Sequence, residues 1–113
     1  MASERPAPPR PDFRRLPPPS FGWLDARLLH EEWLGRLGPE ATAVLTYLAL
    51  AADERGASFW LREKMAWRLA LERRELDRCL ERLIELGLLA HRPWSPGHPD
   101  GVWQLLPVPR PPS

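Results

Sequence analysis

Residues 61–93 read LREKMAWRLALERRELDRCLERLIELGLLAHRP, and the hydrophobic spacing changes twice along them. Met65, Ala66 and Leu69 recur at helical spacing, and Leu71 and Glu72 then interrupt the pattern. A longer run follows in which Leu76, Cys79, Leu80, Leu83, Ile84 and Leu86 fall on one side of a 3.6-residue helix, with the charged residues on the other. Gly87 stands where a left-handed residue would stop that helix. Beyond it LLAHRPW is short and apolar, SPGHPDG is dense in turn formers, and VWQLL is apolar again. Residues 88–106 therefore read as a β-hairpin. The spacing predicts two helices joined by a tight turn, then a two-stranded hairpin.

Working towards the N-terminus, Ala57 to Trp60 read as a short strand. Before it, residues 39–55 form a helix that turns Val44, Leu45, Leu48, Ala49 and Ala52 to the core and ends at Gly56. Gly38 and Pro39 mark its start, since proline suits the first helical position. Tyr47 lies at the margin of the apolar face, as core edge. An earlier helix, about residues 26–36, can be capped by Asp25 and presents Leu28, Leu29, Trp33, Leu34 and Leu37. Residues 1–20 hold seven of the fifteen prolines and four arginines with almost nothing to bury, so they are expected to be a disordered or polyproline arm. Residues 107–113, PVPRPPS, have the same composition and the same expectation. One ordered domain, residues 21–106, lies between. Leu48, Leu69, Leu76, Leu80, Leu83 and Leu89 are expected to be buried in it.

With 113 residues the chain has room for one domain, and a core of roughly 85 residues can fold alone. The net charge of +1 decides nothing about a polyanionic partner. All basic side chains except Lys64 are arginine, which suits recognition of phosphate or carboxylate and equally a GC-rich genome. The single cysteine, Cys79, sits on an apolar stripe and reads as a buried small hydrophobe in a reducing compartment. No run approaches the roughly 18 apolar residues of a membrane span, and the N-terminus lacks the apolar region of a secretory signal. A cytoplasmic location is expected. His30, His91 and His98 are scattered, there is no glycine-rich phosphate loop, and no nucleophile elbow occurs. No catalytic residue, metal site or cofactor is expected.

Taken together, GPEATAVLTYLALAADERG, SFWLREKMAWRLAL and RRELDRCLERLIELGLL resemble bacterial winged helix-turn-helix proteins of the kind found in plasmid and phage replication initiators and in mobile elements. The resemblance covers about residues 21–106 and rests most on LxxLIELGLL followed directly by a hairpin. It implies a mainly α fold with a small β-sheet, a helical N-terminal half and a C-terminal β-hairpin wing. The strand at 57–60 would pair with that hairpin in a three-stranded sheet. The chain departs from the family at the turn, where Ala70 replaces the usual glycine and Glu72 the usual Ser or Thr cap. The implied function is sequence-selective binding of double-stranded DNA, in control of transcription, replication or transposition of a mobile element.

In such proteins the second helix of the pair enters the major groove. Carried over, its exposed positions here are Arg73, Arg74, Asp77, Arg78, Glu81 and Arg82, with Arg62, Lys64 and Arg68 on the preceding helix and Arg92 on the wing as backbone contacts. Arg74, Arg78 and Arg82 are four apart and make one basic ridge. Asp77, Glu81 and Glu85 make an acidic ridge beside it, and ion pairs from each arginine to the acid three residues on are expected. That alternation, with the Pro-rich ends, equally suits a protein-interaction adaptor within a larger nucleic-acid-processing complex. Among the six tryptophans, Trp94 and Trp103 are placed to pair across the hairpin and Trp67 to lie exposed as a contact anchor. His98 at the wing tip is expected in water. Trp23 and Trp33 are expected at the centre of an exposed patch through which the N-terminal helix forms a homodimer.

Overall fold

A computed structural model describes residues 5–110. The first four residues of the expected arm and the last three of the expected tail lie outside them. Residues 5–20 hold no helix or strand and are exposed throughout. Gly22 then presses on the backbone of residues 49 and 50, so closely that an added Cβ would stand 2.4 Å from the Ala49 carbonyl oxygen.

The helix expected over 26–36 is divided. α1 spans Arg27–His30, and the Asp25 carboxylate accepts from the Arg27 amide at 2.9 Å. Glu32 then adopts a left-handed φ of 62° before α2 begins at Trp33. Leu28 and Trp33 are both buried. On one continuous helix they would point about 140° apart, so the break is what lets both reach the core. α2 runs Trp33–Ala51 with an interruption at Gly38 (φ 78°), where glycine and proline predict one. It ends four residues earlier than expected. The Asp53 carboxylate accepts from the amides of Arg55 (2.8 Å) and Ala57 (3.0 Å), which draws residues 53–56 into a turn that closes at Gly56.

β1 is Ala57–Ser58, α3 Arg62–Leu69, α4 Arg73–Glu85, β2 Leu89–Arg92 and β3 Val102–Leu105. α2 packs chiefly on α4, burying Val44, Leu45 and Leu48 with Leu76, Cys79, Leu80 and Leu83. Leu89 is buried as expected, but Leu69 is only partly buried at the core edge. Ile84 is not on the core side. It lies about 100° round the helix from Leu83 and stays 40% exposed. In the turn between α3 and α4, Ala70 takes a left-handed conformation (φ 55°) that glycine adopts most readily. Glu72 precedes α4, and Glu75 reaches back to accept from the Glu72 amide at 3.1 Å, so an orphan donor is met by the first turn itself.

The strands form one antiparallel sheet in the order β1-β3-β2, with Ser58 opposite Trp103 and His91 also opposite Trp103. That register corrects the expected tryptophan pair. Trp94 lies two residues beyond the Arg92–Val102 pair, level with residue 100, and remains exposed. Trp103 is buried and stacks on His91 at 3.9 Å, while its indole N–H donates to the Trp60 carbonyl at 3.3 Å. Nor does His98 stand free in water, since its ring stacks on Phe59 at 4.8 Å. The core also runs past residue 106. The Leu106 amide donates to the Leu88 carbonyl at 3.0 Å and Val108 is buried, so the expected tail begins by closing the core.

Candidate nucleic-acid interface

α4 offers the most charged surface of the domain, and its buried stripe dictates which residues that surface holds. With Leu76, Cys79, Leu80 and Leu83 inward, Arg74, Arg78, Glu81, Arg82 and Glu85 are left exposed on the other side. Burial also pushes the Cys79 thiol above its ordinary pKa, which suits an inert packing residue. The Arg74–Asp77, Arg78–Glu81 and Arg82–Glu85 pairs expected along the helix do not form. Among the described residues, Arg74, Arg78 and Arg82 make no ion pair at all. Their guanidinium groups are available to an incoming ligand, as are the exposed carboxylates of Glu81 and Glu85 beside them.

Asp77 and Arg73 are differently placed. Asp77 accepts from Arg73 Nε at 3.2 Å and lies 3.5 Å from Arg62 Nε. Arg62 in turn binds Asp100 twice, through its backbone amide (3.0 Å) and through its guanidinium (3.0 Å), and it lies 4.7 Å over the Trp103 ring. His91 Nε2 meets the Asp100 carbonyl oxygen at 2.7 Å. Arg62 thus ties the start of α3 to α4 and to the end of the hairpin loop. Asp77, expected as a reading residue, stands at the edge of this junction with its Oδ1 shared by Arg73 and Arg62. No local pattern announces the junction, since Arg62 and Asp100 are 38 residues apart.

The remaining basic groups are dispersed. Lys64 is exposed on α3 and borders a shallow cleft with Phe59 and Trp60. Arg68 lies 5.5 Å from the Trp60 ring, which itself meets Tyr47 edge-on at 5.3 Å. Arg92 is exposed at the end of β2. None of the three makes an ion pair among the described residues. Trp67 projects from α3 at 80% exposure, and Trp23 is exposed as well. Trp33 is not. It is buried under the Arg36 guanidinium (4.6 Å), so it belongs to the core and is withdrawn as the centre of a contact patch.

The class defined by these features is a small, mainly helical domain with a three-stranded antiparallel sheet that displays one helix of mixed charge. No helix among the described residues is long and apolar enough to cross a membrane, and no group of His, Cys, Asp and Glu among them could hold a metal ion. Comparison with protein-family models, with curated proteins and with solved structures finds no match.

Proposed function

We propose that the chain is a winged helix-turn-helix protein that binds double-stranded DNA sequence-selectively. In this reading α3 and α4 are the helix pair, α4 enters the major groove, and the β2–β3 hairpin is the wing. The observation that carries it is the row of three unpaired arginines, Arg74, Arg78 and Arg82, on the solvent side of the second helix. Arginine is the side chain best suited to bidentate contact with guanine O6 and N7, and an unpaired one does not first have to break a bond within the protein. The element order supports the same reading, with the strand before the helix pair lying beside β3 of the hairpin. Arg73, Lys64 and Arg92 then contact phosphates, which positions the domain without reading sequence. The sequence resemblance to replication initiators and mobile-element proteins suggests that this binding serves transcription, replication or transposition control. It is a cytoplasmic role that requires no catalysis or cofactor.

A gel-shift selection from a randomised duplex pool tests this. Enrichment of one motif is expected, and folded protein that enriches none at low salt refutes the reading. Two observations favour a second reading, an adaptor inside a larger nucleic-acid-processing complex. Glu81 and Glu85 flank the basic row and repel phosphate, and Trp67 stands exposed as an anchor for a protein partner. Negligible DNA affinity together with a stable partner that is lost on Trp67→Ala would favour the adaptor.

A further inference from the structure

The outer side of α3 alternates rings and cations. At about 100° per residue, Trp67, Lys64 and Arg68 follow one another round it, opposite the buried Met65 and Ala66. Glu63 falls beyond Trp67, away from the two cations. Lys64 borders the cleft that Phe59 and Trp60 line, and Arg68 lies 5.5 Å from the Trp60 ring. The two cations therefore stand between the exposed Trp67 and an aromatic cleft. His98 stacks on Phe59 at 4.8 Å but is not part of the cleft, so the cleft meets the rest of an exposed ring. Asp53 also lines it, with its carboxylate already engaged by the Arg55 guanidinium and the Ala57 amide. Phe59, two residues beyond Ala57, makes no backbone hydrogen bond among the described residues, through either its amide or its carbonyl.

We propose that this surface holds single-stranded nucleic acid, with unpaired bases stacked on Phe59 and Trp67 and the phosphates between them on Lys64 and Arg68. Aromatic side chains that offer a ring face, set beside cations that track the backbone, are what such a strand requires. A duplex cannot use the rings, because its bases are already stacked on one another and show only their edges. Unpaired bases show both a face and a polar edge, and the free amide and carbonyl of Phe59 are a donor and an acceptor for that edge. An apolar protein surface would bury Lys64 and Arg68 without counter-charge, which is costly, and neither has a partner carboxylate among the described residues. An acidic peptide would satisfy the cations and leave the rings to water. The site is distinct from the arginine row of α4. Lys64 alone is shared with the duplex reading, as a phosphate contact in both, so it does not serve to tell them apart.

Fluorescence anisotropy of a labelled oligothymidylate of about 15 nucleotides, titrated with the full chain at low salt, tests the proposal. Binding that weakens as salt is added is expected. Trp67→Ala and Phe59→Ala should each raise the dissociation constant at least about tenfold with an unchanged circular-dichroism spectrum, and Trp67→Phe should keep most of the affinity. Trp67 is exposed, so its removal leaves the core intact. An abasic strand of the same length keeps the phosphates without the bases and should bind at least about tenfold more weakly. Arg78→Ala should weaken the selected duplex and leave the oligothymidylate unaffected, so failure of either site is seen without the other. Folded protein that does not bind the oligothymidylate at low salt overturns the proposal and leaves Trp67 to a protein partner. Equal affinity for the abasic strand overturns it too, as does indifference to both Trp67→Ala and Phe59→Ala.

Discussion

Replacing Arg62 by alanine removes, in one step, the tie between α3, α4 and the hairpin loop. The magnitude follows from what the side chain touches. Arg62 and Asp100 are only 24% and 22% exposed at their side chains and meet at 3.0 Å, so their pair is better shielded than an open surface ion pair worth about 0–1 kcal/mol. A hydrogen bond to a charged group contributes about 1.5–3 kcal/mol when it is protected. The guanidinium 4.7 Å from the Trp103 ring adds about 0.5–1 kcal/mol. The Asp77 contact at 3.5 Å adds little, because Asp77 keeps Arg73. The backbone amide of Arg62 still serves Asp100 after the change, which limits the loss. A destabilisation of about 2 kcal/mol is expected, read as a shift in urea midpoint at constant slope. Arg62→Lys should recover only part of it, since an ammonium cannot lie flat on the indole and keep both carboxylates. A double-mutant cycle with Asp100→Ala isolates the pair and should give a coupling of about 1 kcal/mol. A change in stability below about 0.5 kcal/mol for Arg62→Ala would refute the reasoning, because that is the range of an ordinary surface substitution.

Arg74→Ala and Arg78→Ala should each weaken binding to the selected duplex by about 1–3 kcal/mol if they read bases, whereas equal losses on every sequence would assign them to phosphates. Leu83→Ala, at a fully buried position between α4 and α2, should cost about 2–5 kcal/mol in thermal or urea unfolding. Gly101→Ala should unseat the hairpin, since its Cβ would stand 2.1 Å from the Arg92 carbonyl oxygen at a φ of +84°; loss of protection at the Gly101 amide by hydrogen exchange is the readout. The amide of Ala57, and next the Arg55 guanidinium, hold the Asp53 carboxyl below its ordinary value of 3.8. A depressed carboxyl stabilises fully above its unfolded pKa and loses that contribution as pH falls through its lower folded one. The protection factor of the Ala57 amide, its exchange rate relative to an unstructured amide at the same pH, should therefore fall below about pH 4, and Asp53→Ala should abolish that dependence.

The local sequence determined where the elements lie because their signals are local. Gly38–Pro39 broke the helix at the residue whose conformation demands it, and Gly87, with φ 77°, closed α4 where the apolar stripe ended. The period of Leu76, Cys79, Leu80 and Leu83 fixed the inner side of α4, and with it the exposed arginines of the candidate site, since a helix that buries one stripe must show the other. The strand at residue 57 and the hairpin were equally legible from short apolar runs bounded by turn formers.

What only the tertiary structure decided involves residues far apart in sequence. The break at Glu32 arises because Leu28 and Trp33 must both reach a core built by later helices, a demand that residues 26–36 do not contain by themselves. Trp103 chose His91 rather than Trp94 because strand register, set across a nine-residue loop, brought residue 91 opposite it. The neighbours of Asp77 were also set from afar, since Arg62, held in place by Asp100 from the hairpin, lies beside its carboxylate. Helical periodicity tells which side of a helix is free of the core, but not which distant charge will come to lie beside it.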